Sequence, residues 1–324
     1  MKPFEHVNAE SIDDALSWLD GGWKARLIAG GTDLLGEMKR GIIAPERLVN
    51  LNTVPGLRTI EDRANEGLYL GPLVTLQALA DSSQAVSCPS VLSQAAASAA
   101  SPQLRHMGTL GGNLCQRPRC WYYRGDFHCL RKGGRVCYAT GGDNRYHAIF
   151  GGDPCFIVHP SDTAPALTAL EAHLDLVSPE GARTVPIEDF FVSTRTDPYR
   201  ENILRSNEIL SQVQIPAPAE GSKGIYLKIR QRQSWTFALV SVAAQVVMDA
   251  GRCCKARIVL GGVAPTPWRA REAEALVEGS SLDAVTRESA CRAATAGAEA
   301  MSDNAYKVTL VQSVVRHALS ALAA

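Results

Sequence analysis

No stretch of this 324-residue chain approaches the roughly 20 consecutive apolar residues that a membrane-spanning helix requires. Net charge is missing too, since 33 Lys and Arg balance 33 Asp and Glu. A neutral surface gives no reason to expect nucleic acid or an anionic membrane as partner, and little self-repulsion opposes contact with other subunits. The opening Met1-Lys2-Pro3-Phe4-Glu5-His6 lacks a signal peptide's apolar core. The expectation is a chain with no export signal of its own, residing in the cytoplasm, or in the periplasm if exported folded with a partner. Internal repeats and low-complexity tracts are absent. So are paired carboxylates and a Ser–His–Asp order, so no substrate chemistry is expected on this chain.

What is present reads as alternating helices and strands. Ser11 is placed to cap a helix, with Asp14 at the capping-box position and Ile12, Ala15, Leu16 and Leu19 on one face. A short apolar strand over 25–29 runs into a glycine turn, and a strand-like 47–51 completes a first unit over 1–55. A second unit over 56–218 begins with a strand at 67–71. It continues with helices at 76–80, 91–100 and 163–172 and a strand at 208–215, and ends at Pro216-Ala217-Pro218. The third unit, 219–324, opens with three strand-like segments (224–231, 237–248 and 255–263). Three helices follow, at 269–278, 282–301 and 304–322.

Two glycine turns stand out. Leu27-Ile28-Ala29-Gly30-Gly31-Thr32-Asp33-Leu34 follows a strand, and Thr109-Leu110-Gly111-Gly112-Asn113 has similar chemistry about 80 residues later. Successive N–H groups in such turns bind phosphate oxygens, and a pair can grip both ends of a long dinucleotide. The plain alternative is a tight turn needing positive φ. Neither matches the G-x-G-x-x-G fingerprint of nicotinamide-binding folds.

Between 115 and 156 the chain is polar, aperiodic and rich in cysteine, which points to a fold organised by metal. Cys120, Cys129, Cys137 and Cys155 read C-x8-C-x7-C-x17-C, a spacing typical of neither zinc ribbons nor ferredoxins. Four thiolates suit tetrahedral zinc or a [4Fe–4S] cube, and unlinked or disulfide-paired thiols remain the alternative. Cys115 is a rival fifth thiol; Cys88, Cys253, Cys254 and Cys291 are scattered, and Cys253-Cys254 reads as inert. Arg117, Arg119, Arg124, Arg131, Lys132 and Arg135 surround the cysteines, either to offset thiolate charge or as a basic loop facing solvent or an acidic partner. Trp121, Tyr122 and Tyr123 either shield the site or anchor the loop. His128 and His147 are possible further ligands.

The two glycine motifs in this order, with Gln103-Leu104-Arg105, His159-Pro160-Ser161-Asp162, Tyr226-Leu227-Lys228-Ile229-Arg230 and Gly261-Gly262-Val263-Ala264, resemble the FAD-binding medium subunit of the xanthine dehydrogenase/aldehyde oxidase (molybdenum hydroxylase) family. The resemblance spans essentially the whole chain. It implies an α+β fold: a two-part FAD-binding domain of the vanillyl-alcohol oxidase/PCMH type, then a C-terminal three-stranded sheet with a helical bundle. It implies that both glycine motifs hold the FAD pyrophosphate and neighbouring groups. Asp162 resembles an aspartate that contacts FAD, and Leu210 and Lys228 resemble residues near the flavin. Without the resemblance, Asp162 reads as a helix N-cap and Lys228 as a solvated strand-edge lysine.

Most members lack the cysteine insert. The subgroup of periplasmic aldehyde oxidoreductases and 4-hydroxybenzoyl-CoA reductases carries a [4Fe–4S] cluster here, which implies Cys120, Cys129, Cys137 and Cys155 as ligands, without Cys115. The implied partners are a molybdopterin-binding large subunit that oxidises substrate, a [2Fe–2S] small subunit and an external electron acceptor. Two other readings stay open: a self-contained flavin oxidoreductase, and a zinc-stabilised scaffold in which the glycine turns are only turns.

Overall fold

The computed structural model describes residues 1–19, 21–84 and 90–323; Cys88 lies outside them. Strands β1 (Glu5–Asn8), β2 (Ala25–Ile28) and β3 (Arg47–Asn50) form a small parallel sheet in the order β1-β3-β2. Parallel neighbours need crossovers, supplied by the helices Ile12–Ser17 and Leu34–Lys39. The first starts where its signals place it, with the Asp14 N–H donating to Ser11 Oγ at 3.0 Å. It buries Ala15 and Leu16 against Val49.

The second sheet is antiparallel, in the order β4-β5-β8-β6-β7, from Ile60–Arg63, Gly67–Leu70, His173–Ser178, Gly181–Pro186 and Ile209–Pro216 (β4 to β8). The helices Leu76–Asp81, Val91–Ser98 and Thr163–Ala169 share its apolar core, in which Leu79, Leu92 and Leu167 are fully buried.

The third sheet joins β9 (Ser222–Ile229), β10 (Val240–Asp249), β11 (Arg252–Gly261) and β12 (Trp268–Arg269) in the order β12-β11-β10-β9. Its core includes residues of the helices Arg271–Val277, Ala284–Ala293 and Tyr306–Ala323. The expected sheet of three strands therefore gains a fourth. Two residues between Pro267 and a helix cannot display the alternation that marks a strand, yet Trp268 pairs with Leu260 and stacks on Phe150 at 4.8 Å.

The cysteine insert holds only the short helix Trp121–Arg124 and single 3-10 turns at Leu130–Lys132 and Tyr138–Thr140. Buried Lys307 pins it to the C-terminal helices, donating to the carbonyls of Tyr146 (3.0 Å), His147 (2.9 Å) and Gly262 (2.8 Å). Three carbonyls match an ammonium's three donors, which makes a charge tolerable at this depth.

Candidate functional site

A cavity of about 570 Å³ opens beside the first glycine turn. That volume lies within the range for cofactor pockets. Leu27, Ala29, Gly30, Gly31, Thr32, Asp33 and Leu34 line it from the first motif, and Thr109, Gly111 and Gly112 from the second; Leu210 stands in the wall. Ile28, Leu110, Asn113, Asp162 and Lys228 are not among its lining residues.

The first turn has the geometry of an anion cradle. Among the described residues, the N–H groups of Gly30, Gly31, Thr32 and Asp33 make no hydrogen bond within the chain. Gly31 has φ of +68°, so the positive-φ turn and the ligand cradle coincide in one residue. A Cβ on Gly30 would lie 1.8 Å from the Met107 carbonyl oxygen, so only glycine lets this turn seat against the loop entering the second motif.

The second turn is built differently. Its amides are already used: Leu110 donates to Val74 O, Gly111 to Pro72 O, Asn113 to Thr109 O and Gly112 to Thr109 Oγ1. It presents a side-chain-free wall at Gly111 and Gly112 rather than a second nest. Asn113 Oδ1 accepts from the hydroxyls of Ser161 and Thr163, both at 2.6 Å, tying this turn to the Asp162 segment.

Asp162 stands at the N-cap position of its helix, but its side chain makes no cap bond. Its carboxylate accepts from Tyr226 Oη at 2.8 Å and Lys228 Nζ at 2.7 Å, a buried ion pair off the cavity. The Lys228 side chain is only 2% exposed, so the solvated strand-edge alternative fails. Of the three residues that the resemblance places at the flavin, Asp162 and Lys228 are each other's partners here.

Asp33 reaches away from the cradle to the insert. It pairs with Arg119 and with Arg124 at 2.8 Å, and accepts the Arg117 N–H at 2.7 Å. Burial pushes this carboxyl up, but the two guanidiniums and the N–H donors outweigh it and hold it below its ordinary value. Glu37 accepts from buried Tyr123 at 2.7 Å, and Glu201 takes Arg117 at 2.8 Å and Arg131. Most insert cations thus serve as clamps between the insert and the cavity wall rather than as a solvated basic loop. Sequence reasoning missed Glu37 and Glu201 because partners 70 or more residues apart leave no periodic trace.

The four selected cysteines are neighbours in pairs. Cys137 and Cys155 share a hydrogen bond, and Cys120 lies within electrostatic range of both Cys137 and Cys129. The bond to Cys155, with backbone N–H donors, pulls the Cys137 thiol down to about 6, while Cys155 is pushed up. Burial raises Cys120 to about 11. Cys115 lies apart from them: it lines the cavity beside Glu201, and burial pushes it up to about 12. Among the described residues no three His, Cys, Asp or Glu groups converge as a ready site for a single ion. His147 Nε2 sits 3.3 Å from Cys120 Sγ, and the rings of Trp121, Tyr122, Phe127 and Tyr138 pack together over this region. Arg131 is buried with Nε and Nη1 unpartnered, and its charge acts on Cys155. Orphaned donors beside buried thiols are what an anionic sulfur-ligated group would satisfy, so the residues fit such a group.

Comparison with known proteins agrees with the cavity. Residues 2–218 match the family model of the FAD binding domain in molybdopterin dehydrogenase. Residues 225–322 match the CO dehydrogenase flavoprotein C-terminal domain. The chain is 40% identical over 255 residues to the aldehyde oxidoreductase FAD-binding subunit PaoB of Escherichia coli K12, covering 78% of each. It is 28% identical to the carbon monoxide dehydrogenase medium chain of Hydrogenophaga pseudoflava, covering 98% of this chain and 96% of that one. In structure it is similar to a chain of reconstituted CO dehydrogenase from Oligotropha carboxidovorans, with a TM-score of 0.79 at 26% identity over 99% and 98% of the two chains. It is also similar to a chain of quinoline 2-oxidoreductase from Pseudomonas putida 86, with a TM-score of 0.76 at 26% identity over 100% and 98%. The chain belongs to the FAD-binding medium subunits of the molybdopterin dehydrogenases, or molybdenum hydroxylases.

Proposed function

We propose that this chain is the electron-transfer FAD subunit of a heterotrimeric molybdenum hydroxylase of the aldehyde oxidoreductase or aromatic hydroxylase/reductase type. On this reading a molybdopterin-binding large subunit oxidises the substrate. A [2Fe–2S] small subunit delivers electrons to this chain, which passes them to an external acceptor. The observation that carries the FAD site is the first turn, whose residues Gly30 to Asp33 line a cavity of cofactor size while their N–H groups make no backbone hydrogen bond. When bound, FAD accepts single electrons and releases two, so the protein's task is to hold it and set its surroundings.

In this assignment Leu27, Ile28, Ala29, Gly30, Gly31, Thr32, Asp33 and Leu34 form or support the phosphate cradle. Thr109, Leu110, Gly111, Gly112 and Asn113 form or brace the opposite wall, and Leu210 packs against the cofactor. Asp162 and Lys228 act one step removed, through Asn113 and its hydrogen bonds to Ser161 and Thr163. The division into 1–55, 56–218 with the insert, and 219–324 belongs to the same proposal, supported by one sheet within each span.

Cys120, Cys129, Cys137 and Cys155 are the ligands of an additional [4Fe–4S] cluster that serves as a branch or exit for electrons. The pairwise proximity of Cys120 to Cys129 and Cys137 and of Cys137 to Cys155, with the orphaned Arg131 donors near Cys155, supports this. Family membership speaks against the zinc scaffold, and the 40% identity to a named FAD-binding subunit speaks against a self-contained oxidoreductase. No helix among the described residues is long and apolar enough to cross a membrane; residence in the cytoplasm, or in the periplasm by export with a partner, is the accompanying proposal.

Replacing Cys129 with Ser tests the ligand set. The complex should lose iron while keeping its flavin, and unchanged iron content would remove Cys129 from the cluster. Purification by a tag on this chain tests the assembly. Two further subunits should follow it, and a lone chain with substrate-oxidising activity would restore the self-contained alternative.

A further inference from the structure

Arg131 has two buried nitrogens without a hydrogen-bond partner, where Arg117, another cation of the cysteine insert, has one, Nε. Arg119 and Arg124 are engaged by Asp33, Arg117 by Glu201, and Lys132 donates to the Gly125 carbonyl at 2.7 Å. The Arg131 side chain is 1% exposed, and one of its nitrogens, Nη2, meets Glu201 Oε1. Its Nε and Nη1 have no partner. Two orphaned donors on one buried guanidinium are a costly arrangement, and each calls for an acceptor at that spot.

The local chain shows where that acceptor lies. Arg131 sits in the 3-10 turn Leu130–Lys132, which starts from Cys129. The Cys129 carbonyl accepts from Lys132 N at 2.8 Å and from Gly134 N at 3.0 Å, which closes the turn on Cys129. Leu130 N donates to Val136 O at 2.9 Å, which draws the Cys137 segment against the same turn. Arg131 also lies close enough to Cys155 for its charge to act on that thiol. On its other side Glu201 is 5% exposed and belongs to the wall of the FAD cavity. One buried ion pair therefore spans the distance between the thiols and the cavity.

We propose that Arg131 is a positioning residue that donates from Nε and Nη1 to sulfur atoms of the cysteine-held group, raises its reduction potential, and links it electrostatically to the flavin cavity through Glu201. This rests on the [4Fe–4S] reading above. Reduction adds a negative charge to a cluster, so a buried cation with N–H donors stabilises the reduced form and a neighbouring carboxylate opposes it. Arg131 and Glu201 should thus act with opposite sign.

The test is a redox titration of the intact complex, followed by electron paramagnetic resonance for the cluster and by visible absorbance for the flavin, with iron quantified in parallel. Arg131→Met should keep its iron and titrate at lower potential than the unmodified complex. Glu201→Gln should keep its iron and titrate at higher potential, with the flavin shifting the same way. Arg131→Lys retains the charge but loses the planar pair of donors, so it should fall between Arg131→Met and the unmodified protein. It also decides the matter if Arg131→Met loses iron: a lowered potential in Arg131→Lys supports the proposal, and an unchanged one overturns it. Equal potentials in all variants, shifts of one sign for both residues, or loss of iron from both arginine variants overturn it as well. An unmodified complex with no four-iron signal refutes the cluster reading itself, a different outcome from any of these.

Discussion

Replacing Asp33 with Asn separates two roles for the first glycine motif. The resemblance assigns Asp33 to the cofactor, whereas the structure turns its carboxylate to Arg119, Arg124 and the Arg117 N–H. Removing one partner of a buried ion pair costs about 3–5 kcal/mol. Arg119 keeps 27% exposure and a bond to Gln116 Oε1 at 3.1 Å, and Arg124 keeps the Pro118 carbonyl at 2.8 Å, so the low end applies. About 3 kcal/mol corresponds to a roughly 10²-fold rise in local opening. The readout is amide hydrogen exchange over 117–124 in the intact complex, where protection should drop by about that factor while the Ile12–Ser17 helix is unchanged. Loss of flavin with unaltered exchange over 117–124 would refute the reasoning and return Asp33 to the cofactor.

The same carboxylate gives a pH dependence. Its folded value is depressed, so its contribution is fully present above the ordinary value of 3.8 and is lost as pH falls from there through the lower folded value. Protection over 117–124 should fall in that window in the native protein and be insensitive there in Asp33→Asn. Gly30→Ala places a methyl against the Met107 carbonyl, so the turn must shift and flavin content should drop well below one per chain by absorbance. Asp162→Asn leaves Lys228 buried without a counter-charge and should cost about 3–5 kcal/mol in denaturant unfolding; Asp162→Asn with Lys228→Met should recover part of it in a double-mutant cycle. Lys307→Met removes its donor from the Tyr146 and Gly262 carbonyls, while the His147 carbonyl keeps Asn304 Nδ2 at 3.2 Å, and should destabilise by about 2 kcal/mol, lowering the Tm.

The sequence was most readable where a local rule governs the outcome. The Ser11 cap, the strand before Gly30 and the positive φ at Gly31 follow from short-range chemistry, and the structure realises each. The second glycine turn looked equivalent to the first, but its amides serve a short helix, a difference decided by Val74 and Pro72 some 35 residues upstream. The pairing of Asp162 with Lys228, and of Glu201 with Arg131, joins residues 66 and 70 positions apart. Such partners are chosen by tertiary packing and leave no mark on composition or period. The cysteine spacing carried no metal identity, because the insert's path is set by Asp33, Glu37, Glu201 and Lys307 outside it.

The most direct test of the central claim is flavin and iron quantitation, with a visible spectrum, on the complex purified through this chain. The account predicts one FAD per chain and four iron atoms beyond those of the [2Fe–2S] partner. A complex without flavin, or with no iron beyond the partner's share, would contradict it.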